Sequence, residues 1–110
     1  MDDAGHITES ARAGETQSEA CEKAADLLRA LSHPVRLRII KLLSGGELCV
    51  KSLEEMLEIS QSSVSQHLTR LRYAGLIESE RKGHLVCYRL VKGGAAKVVE
   101  AAMDESRQRG

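Results

Sequence analysis

The chain has 110 residues, no Trp or Phe, two Tyr, three Cys and a formal net charge of zero. That length fits one small domain with a thin aliphatic core, and three widely spaced cysteines exclude a disulfide scaffold and point to a reducing, cytoplasmic setting. The longest apolar runs fall far short of the ~18 residues of a membrane span, and the acidic N-terminus has no hydrophobic run of the secretory kind. Charge is unevenly spread. Residues 61–92 hold six bases against two acids, whereas residues 1–26 hold seven acids against two bases. A basic segment is therefore masked in the total by an acidic arm.

Residues 1–17 are polar and acidic without apolar periodicity, and are expected to form a disordered arm ahead of a folded domain over 18–108. A first helix begins near Ser18, with Ala20, Ala24, Leu27, Leu28 and Leu31 on one face. Ser32 is the expected N-cap of a second helix opened by His33-Pro34 and stopped at Gly45-Gly46. Ser52-x-x-Glu55 reads as a capping box opening a short third helix, and Ser60 caps a fourth. In that fourth helix Val64, Leu68 and Leu71 make the apolar stripe, and Gly75 supplies a left-handed stop. Short strands over Leu76–Glu80 and Leu85–Val91 flank a basic turn, Arg81-Lys82-Gly83-His84. After Gly93-Gly94 a last helix carries Ala95, Val98, Val99, Ala102 and Met103 on one face. The order is α-α-α-α-β-β-α, mostly α with a small β-hairpin: a winged helix-turn-helix. The apolar stripes of the first and last helices are expected to pair across a two-fold axis in a homodimer.

A helix that reads bases needs an apolar back and a front of short or forked polar side chains. Ser62, Ser63, Gln66, His67 and Arg70 supply that front. Arg81, Lys82 and His84 at the hairpin tip are the expected phosphate contacts, which give affinity and register but no sequence choice. A polar helix face alone is commonly just solvated; the short helix before it and the basic hairpin after it make double-stranded DNA the expected partner. A winged-helix module that binds protein instead would carry apolar or acidic residues where Gln66, Arg70 and Lys82 stand. No nucleophile–base spacing suggests an enzyme.

These residues resemble the ArsR/SmtB winged-helix repressors. The resemblance rests on LSHPVRLRII (31–40), GELCV (46–50), ISQSSVSQHL (59–68), LRYAGL (71–76) and Tyr88-Arg-Leu90, and spans about residues 18–108. It implies a homodimeric, metal- or thiol-responsive repressor that covers an imperfect palindromic operator and leaves it when an inducer binds. Two positions depart from the family pattern. Glu58 stands where the turn between the third and fourth helices usually has glycine, so that turn is expected to be shaped differently. Where metal-sensing members read Cys-Val-Cys, this chain reads Cys49-Val50-Lys51, and the paired Asp/His and His/Glu ligands of other members are missing from the last helix.

One cysteine does not make the three- or four-ligand site that a soft metal takes, so no cofactor is required, and a soft metal or arsenite at Cys49 is the lesser alternative. A thiol-based redox or sulfur signal is the leading expectation, with Cys49 and Cys21 as sensor thiols. Lys51 beside Cys49 favours the reactive thiolate, and oxidation or sulfur bridging of a pair would alter dimer geometry. Cys87 is expected to lie too far out on the wing to join them. The plain alternative is that the cysteines are small apolar packing residues.

Overall fold

The computed structural model describes residues 14–110; the disordered arm expected over 1–17 falls largely outside them. Eight elements follow in order: α1 (Gln17–Leu31), α2 (Pro34–Leu43), β1 (Leu48–Cys49), α3 (Val50–Leu57), α4 (Gln61–Tyr73), β2 (Ile77–Lys82), β3 (Leu85–Leu90) and α5 (Ala95–Arg109). This is the expected winged helix-turn-helix with one element more, the two-residue strand β1.

Local chemistry fixes the helix ends. A reciprocal box starts α1: the Glu19 N–H donates to Thr16 Oγ1 at 3.0 Å and the Thr16 N–H to Glu19 Oε1 at 2.9 Å. The cap of α2 is His33 rather than Ser32, its Nδ1 accepting the Val35 N–H at 3.0 Å. Ser32 instead terminates α1, giving its N–H to the Arg29 carbonyl. Two arginines of α2 then serve the ends of its neighbours. Arg36 donates to the Ala30 and Arg29 carbonyls of α1, and Arg38 to the Met56 carbonyl of α3 at 2.8 Å, satisfying groups that a helix C-terminus leaves open.

The third helix begins at Val50, two residues before the Ser52–Glu55 signal, with Cys49 as a cap that makes no side-chain bond. Extended backbone at Leu48–Cys49 runs directly into it, and pairing with β3 holds that start in place. Ser60 caps α4 as expected, accepting the Ser63 N–H at 3.2 Å. The helix closes in a Schellman motif: Gly75 sits at φ 79°, with Leu76 N–H on the Leu71 carbonyl and Gly75 N–H on the Arg72 carbonyl.

Glu58 adopts the left-handed conformation a glycine would take, with φ 56° and ψ 39°. The turn therefore keeps its shape, contrary to the expectation, and carries the steric cost. Glu58→Gly should raise thermal stability by about 0.5–1 kcal/mol, the relief of that cost outweighing the entropy glycine adds to the unfolded chain. A thermal melt reads this as a rise of several degrees.

The sheet order is β1-β3-β2, antiparallel throughout, and β2 and β3 meet across a two-residue turn in which Gly83 is left-handed at φ 66°. One core joins all the helices: Ile39 and Ile40 from α2, Leu53 from α3, Leu68 and Leu71 from α4, Ile77 from β2 and Val99 from α5. The stripe of α1 is only partly used by this core. Leu31 is buried, but Leu28 is 54% exposed and borders a groove with Leu37, Val98 and Ala102. Among the described residues no helix is long and apolar enough to cross a membrane.

Candidate nucleic-acid interface

The core stripe of α4 holds Val64, Leu68 and Leu71 inward, so the 100° step per residue turns Ser62 and Gln66 to the opposite side. Ser62, Gln66 and Arg70 are exposed. Ser63 is half-buried and engaged with the cap, its Oγ accepting from Ser60 Oγ at 2.9 Å. His67 also lies on the flank rather than the front. Its ring centroid is 4.3 Å from that of His33, and its Nδ1 is 3.4 Å from Arg36 Nη1. Burial first, then His33, then Arg36 hold the His67 imidazole below its ordinary range. Burial and then Arg70 similarly draw the Arg36 guanidinium downward. The front of α4 is thus Ser62, Gln66 and Arg70, with His67 turned toward α2. Arg36 is absent from the expected site because its role depends on a contact 31 residues away.

Tyr73 ends α4 with 79% of its surface exposed, and the Arg72 guanidinium lies 5.5 Å from its ring centroid. On the wing, Arg81 and His84 are exposed. Lys82 is paired at 2.6 Å with Glu47, which stands just before β1. That hydrogen bond and charge hold the Lys82 ammonium above its ordinary range. Arg89 on β3 meets Glu80 at 3.0 Å, Glu78 at 3.4 Å and Glu47 at 3.9 Å. Sequence reading passes over Glu47 because it faces Lys82 only once β1 pairs with β3.

A phosphate approaching Lys82 would compete with Glu47 for its ammonium. Glu47→Ala should therefore tighten binding to duplexes of any sequence about two- to fivefold at low salt and steepen the salt dependence by roughly one phosphate contact. Titrations of unrelated duplexes at several salt concentrations check it.

The cysteines are arranged differently from the expected pair. Cys49 and Cys87 face each other in the β1–β3 register and are joined as a disulfide, with Cα atoms 3.8 Å apart across 38 residues of sequence. Cys87 is therefore on the inner strand of the wing, not out of reach, and is 3% exposed. Cys49 is half-buried. Cys21 is a free thiol exposed on α1. Among the described residues no three His, Cys, Asp or Glu gather to hold a metal ion.

Comparison with known proteins agrees with this geometry. Residues 33–79 match the family described as bacterial regulatory protein, arsR family. The biofilm growth-associated repressor of Xylella fastidiosa strain Temecula1 is 39% identical over 87 residues, covering 79% of this chain and 76% of that one. The structure of HlyU from Vibrio cholerae N16961 superimposes with a TM-score of 0.74 at 35% identity, over 78% of this chain and 94% of the other. A homodimeric winged helix-turn-helix DNA-binding domain from Mycobacterium bovis gives a TM-score of 0.72 at 25% identity, over 89% of this chain and 93% of that one.

Proposed function

Because this chain belongs to the arsR family of DNA-binding transcriptional repressors, we propose that it acts as a homodimer on an imperfect palindromic operator and is released by oxidation of the Cys49–Cys87 pair. It is a regulator and not an enzyme. The front of α4 reads bases in the major groove, and the wing residues Arg81, Lys82 and His84 contact phosphate. The exposed Leu28 and the groove around it support a dimer through α1 and α5. Two copies of α4 then address half-sites one helical turn apart, roughly 34–36 Å.

The observation that carries the signal is the position of the pair. Cys49 is the first residue ahead of α3, where the helix-turn-helix begins, and Cys87 lies on the inner strand of the wing. A bond between them ties two parts that must seat on DNA together. With both thiols reduced, the wing and the helix-turn-helix adjust separately to groove and backbone; the disulfide removes that freedom.

The accessible partner, Cys49, attacks first. Its thiolate takes the distal oxygen of an organic hydroperoxide, releasing the alcohol and leaving a sulfenic acid. Cys87 then displaces water from that sulfur, so the two thiols together lose two electrons and two protons to the peroxide.

The test is fluorescence anisotropy with a duplex selected from a random pool by the reduced protein. Hydroperoxide should weaken wild-type binding at least about tenfold, the lower range of allosteric coupling, and a dithiol reductant should restore it. Cys49→Ser and Cys87→Ser should lose the response, whereas Cys21→Ser should keep it. A response that survives in Cys87→Ser, or disappears in Cys21→Ser, overturns the assignment. Release by zinc, cadmium or arsenite in place of hydroperoxide overturns the oxidative signal.

A further inference from the structure

The contact between α2 and α4 is polar at one point, and there it is built from two imidazoles and a guanidinium. His33 caps α2 by accepting the Val35 N–H at Nδ1, so that nitrogen carries no proton. Arg36 can only donate, so the His67 Nδ1 that faces its Nη1 at 3.4 Å must also be bare. The two rings lie 4.3 Å apart between centroids, tilted by 46°. Arg36 is fixed from its other side by the Ala30 and Arg29 carbonyls at the end of α1. Three helices thus meet at Arg36, and α4 is held there through one unprotonated nitrogen.

We propose that His33, Arg36 and His67 form a positioning cluster for α4 and that protonation of His67 disengages it, so that operator affinity falls as the medium is acidified. The inference rests on α4 as the DNA-reading helix. The groups that face His67 are His33 and Arg36 from α2, with Arg70 of α4 acting on Arg36, while α1 contributes the two backbone carbonyls. The charged groups in that set are all cationic. A proton on Nδ1 removes the acceptor that Arg36 uses and sets a second cation against it in a half-buried site.

The sign follows from the same chemistry. The folded state holds His67 below its ordinary range, so as pH falls through about 6.5 the unfolded chain binds protons first and the fold loses stability. Stability is retained above that range and lost below it. Ordinary DNA electrostatics runs the other way, because any positive charge a protein gains on acidification strengthens phosphate contact. A loss of affinity on acidification is therefore diagnostic.

The experiment compares His84→Asn with the double variant His84→Asn/His67→Asn, using the selected duplex in reducing buffer from about pH 7.5 to about pH 5.5. Asparagine leaves an oxygen near the position of Nδ1 to accept from Arg36 and does not titrate. The single variant should bind about three- to tenfold more weakly at the acid end, and the double variant should hold a nearly flat profile, each protein's acid-end affinity being read against its own value at neutral pH. Thermal midpoints over the same range should fall more steeply in the single variant. Parallel pH profiles in the two proteins, in binding and in melting, overturn the cluster. If neither protein binds any duplex at any pH, the DNA reading fails, and the melting comparison still decides whether His67 is proton-linked.

Discussion

Leu68→Ala should lower the free energy of unfolding by about 2–5 kcal/mol. Leu68 is 1% exposed and packs in the one core that joins the helices to β2. The core around it is otherwise aliphatic, with Tyr88 as the one ring packed against it, and close-packed surroundings relax only partly, so the cavity cost adds to the lost transfer energy. Domains of this size have roughly 5–15 kcal/mol in total, and each kilocalorie corresponds to about 4–8 °C in the midpoint. The variant should therefore melt at least about 8 °C lower, and denaturant titration should show an earlier midpoint with an unchanged slope. A loss below ~1 kcal/mol would mean that α4 is not held by its apolar back.

Gln66→Ala should have the opposite profile, little effect on stability and a large one on sequence choice. Gln66 is exposed on the side of α4 away from the core, and a bidentate amide contact to adenine is worth about 1–3 kcal/mol of discrimination. Binding to the preferred duplex should weaken about 5- to 150-fold per half-site, while duplexes already substituted at the base pair read by Gln66 lose nothing further. The salt dependence should stay the same, because no phosphate contact is removed. Anisotropy against a set of single-base-pair substitutions distinguishes this from a uniform loss, which would make Gln66 a backbone contact.

Much of this architecture is legible from local signals. Ser60 and Gly75 mark the ends of α4 through cap chemistry that acts within a few residues, and the stripe of Val64, Leu68 and Leu71 assigns its inward face. What escapes the sequence depends on contacts made across the fold. β1 is two residues long, too short for any periodicity, and exists because β3 pairs with it. That pairing decides where α3 starts, and it overrides the Ser52–Glu55 signal. It also brings Cys87 to Cys49, a meeting that requires the register of both strands. His67 differs by a smaller margin: helical spacing sets it beside Gln66, and the neighbouring α2 draws its ring toward His33 and Arg36.

The ion pair between Glu47 and Lys82 bears on how such a protein finds its target. A chromosome presents about 10⁶–10⁹ competing sites of the wrong sequence, each attracting the protein through phosphate charge alone. A wing lysine already satisfied at 2.6 Å by a carboxylate of its own chain adds less to that generic attraction. The molecules are then less detained on irrelevant DNA, and a larger share is free to search. With Lys82 as a phosphate contact, the acid on the loop before β1 would weaken every encounter alike: residence on DNA of any sequence shortens, while the preference between right and wrong sites stays with α4.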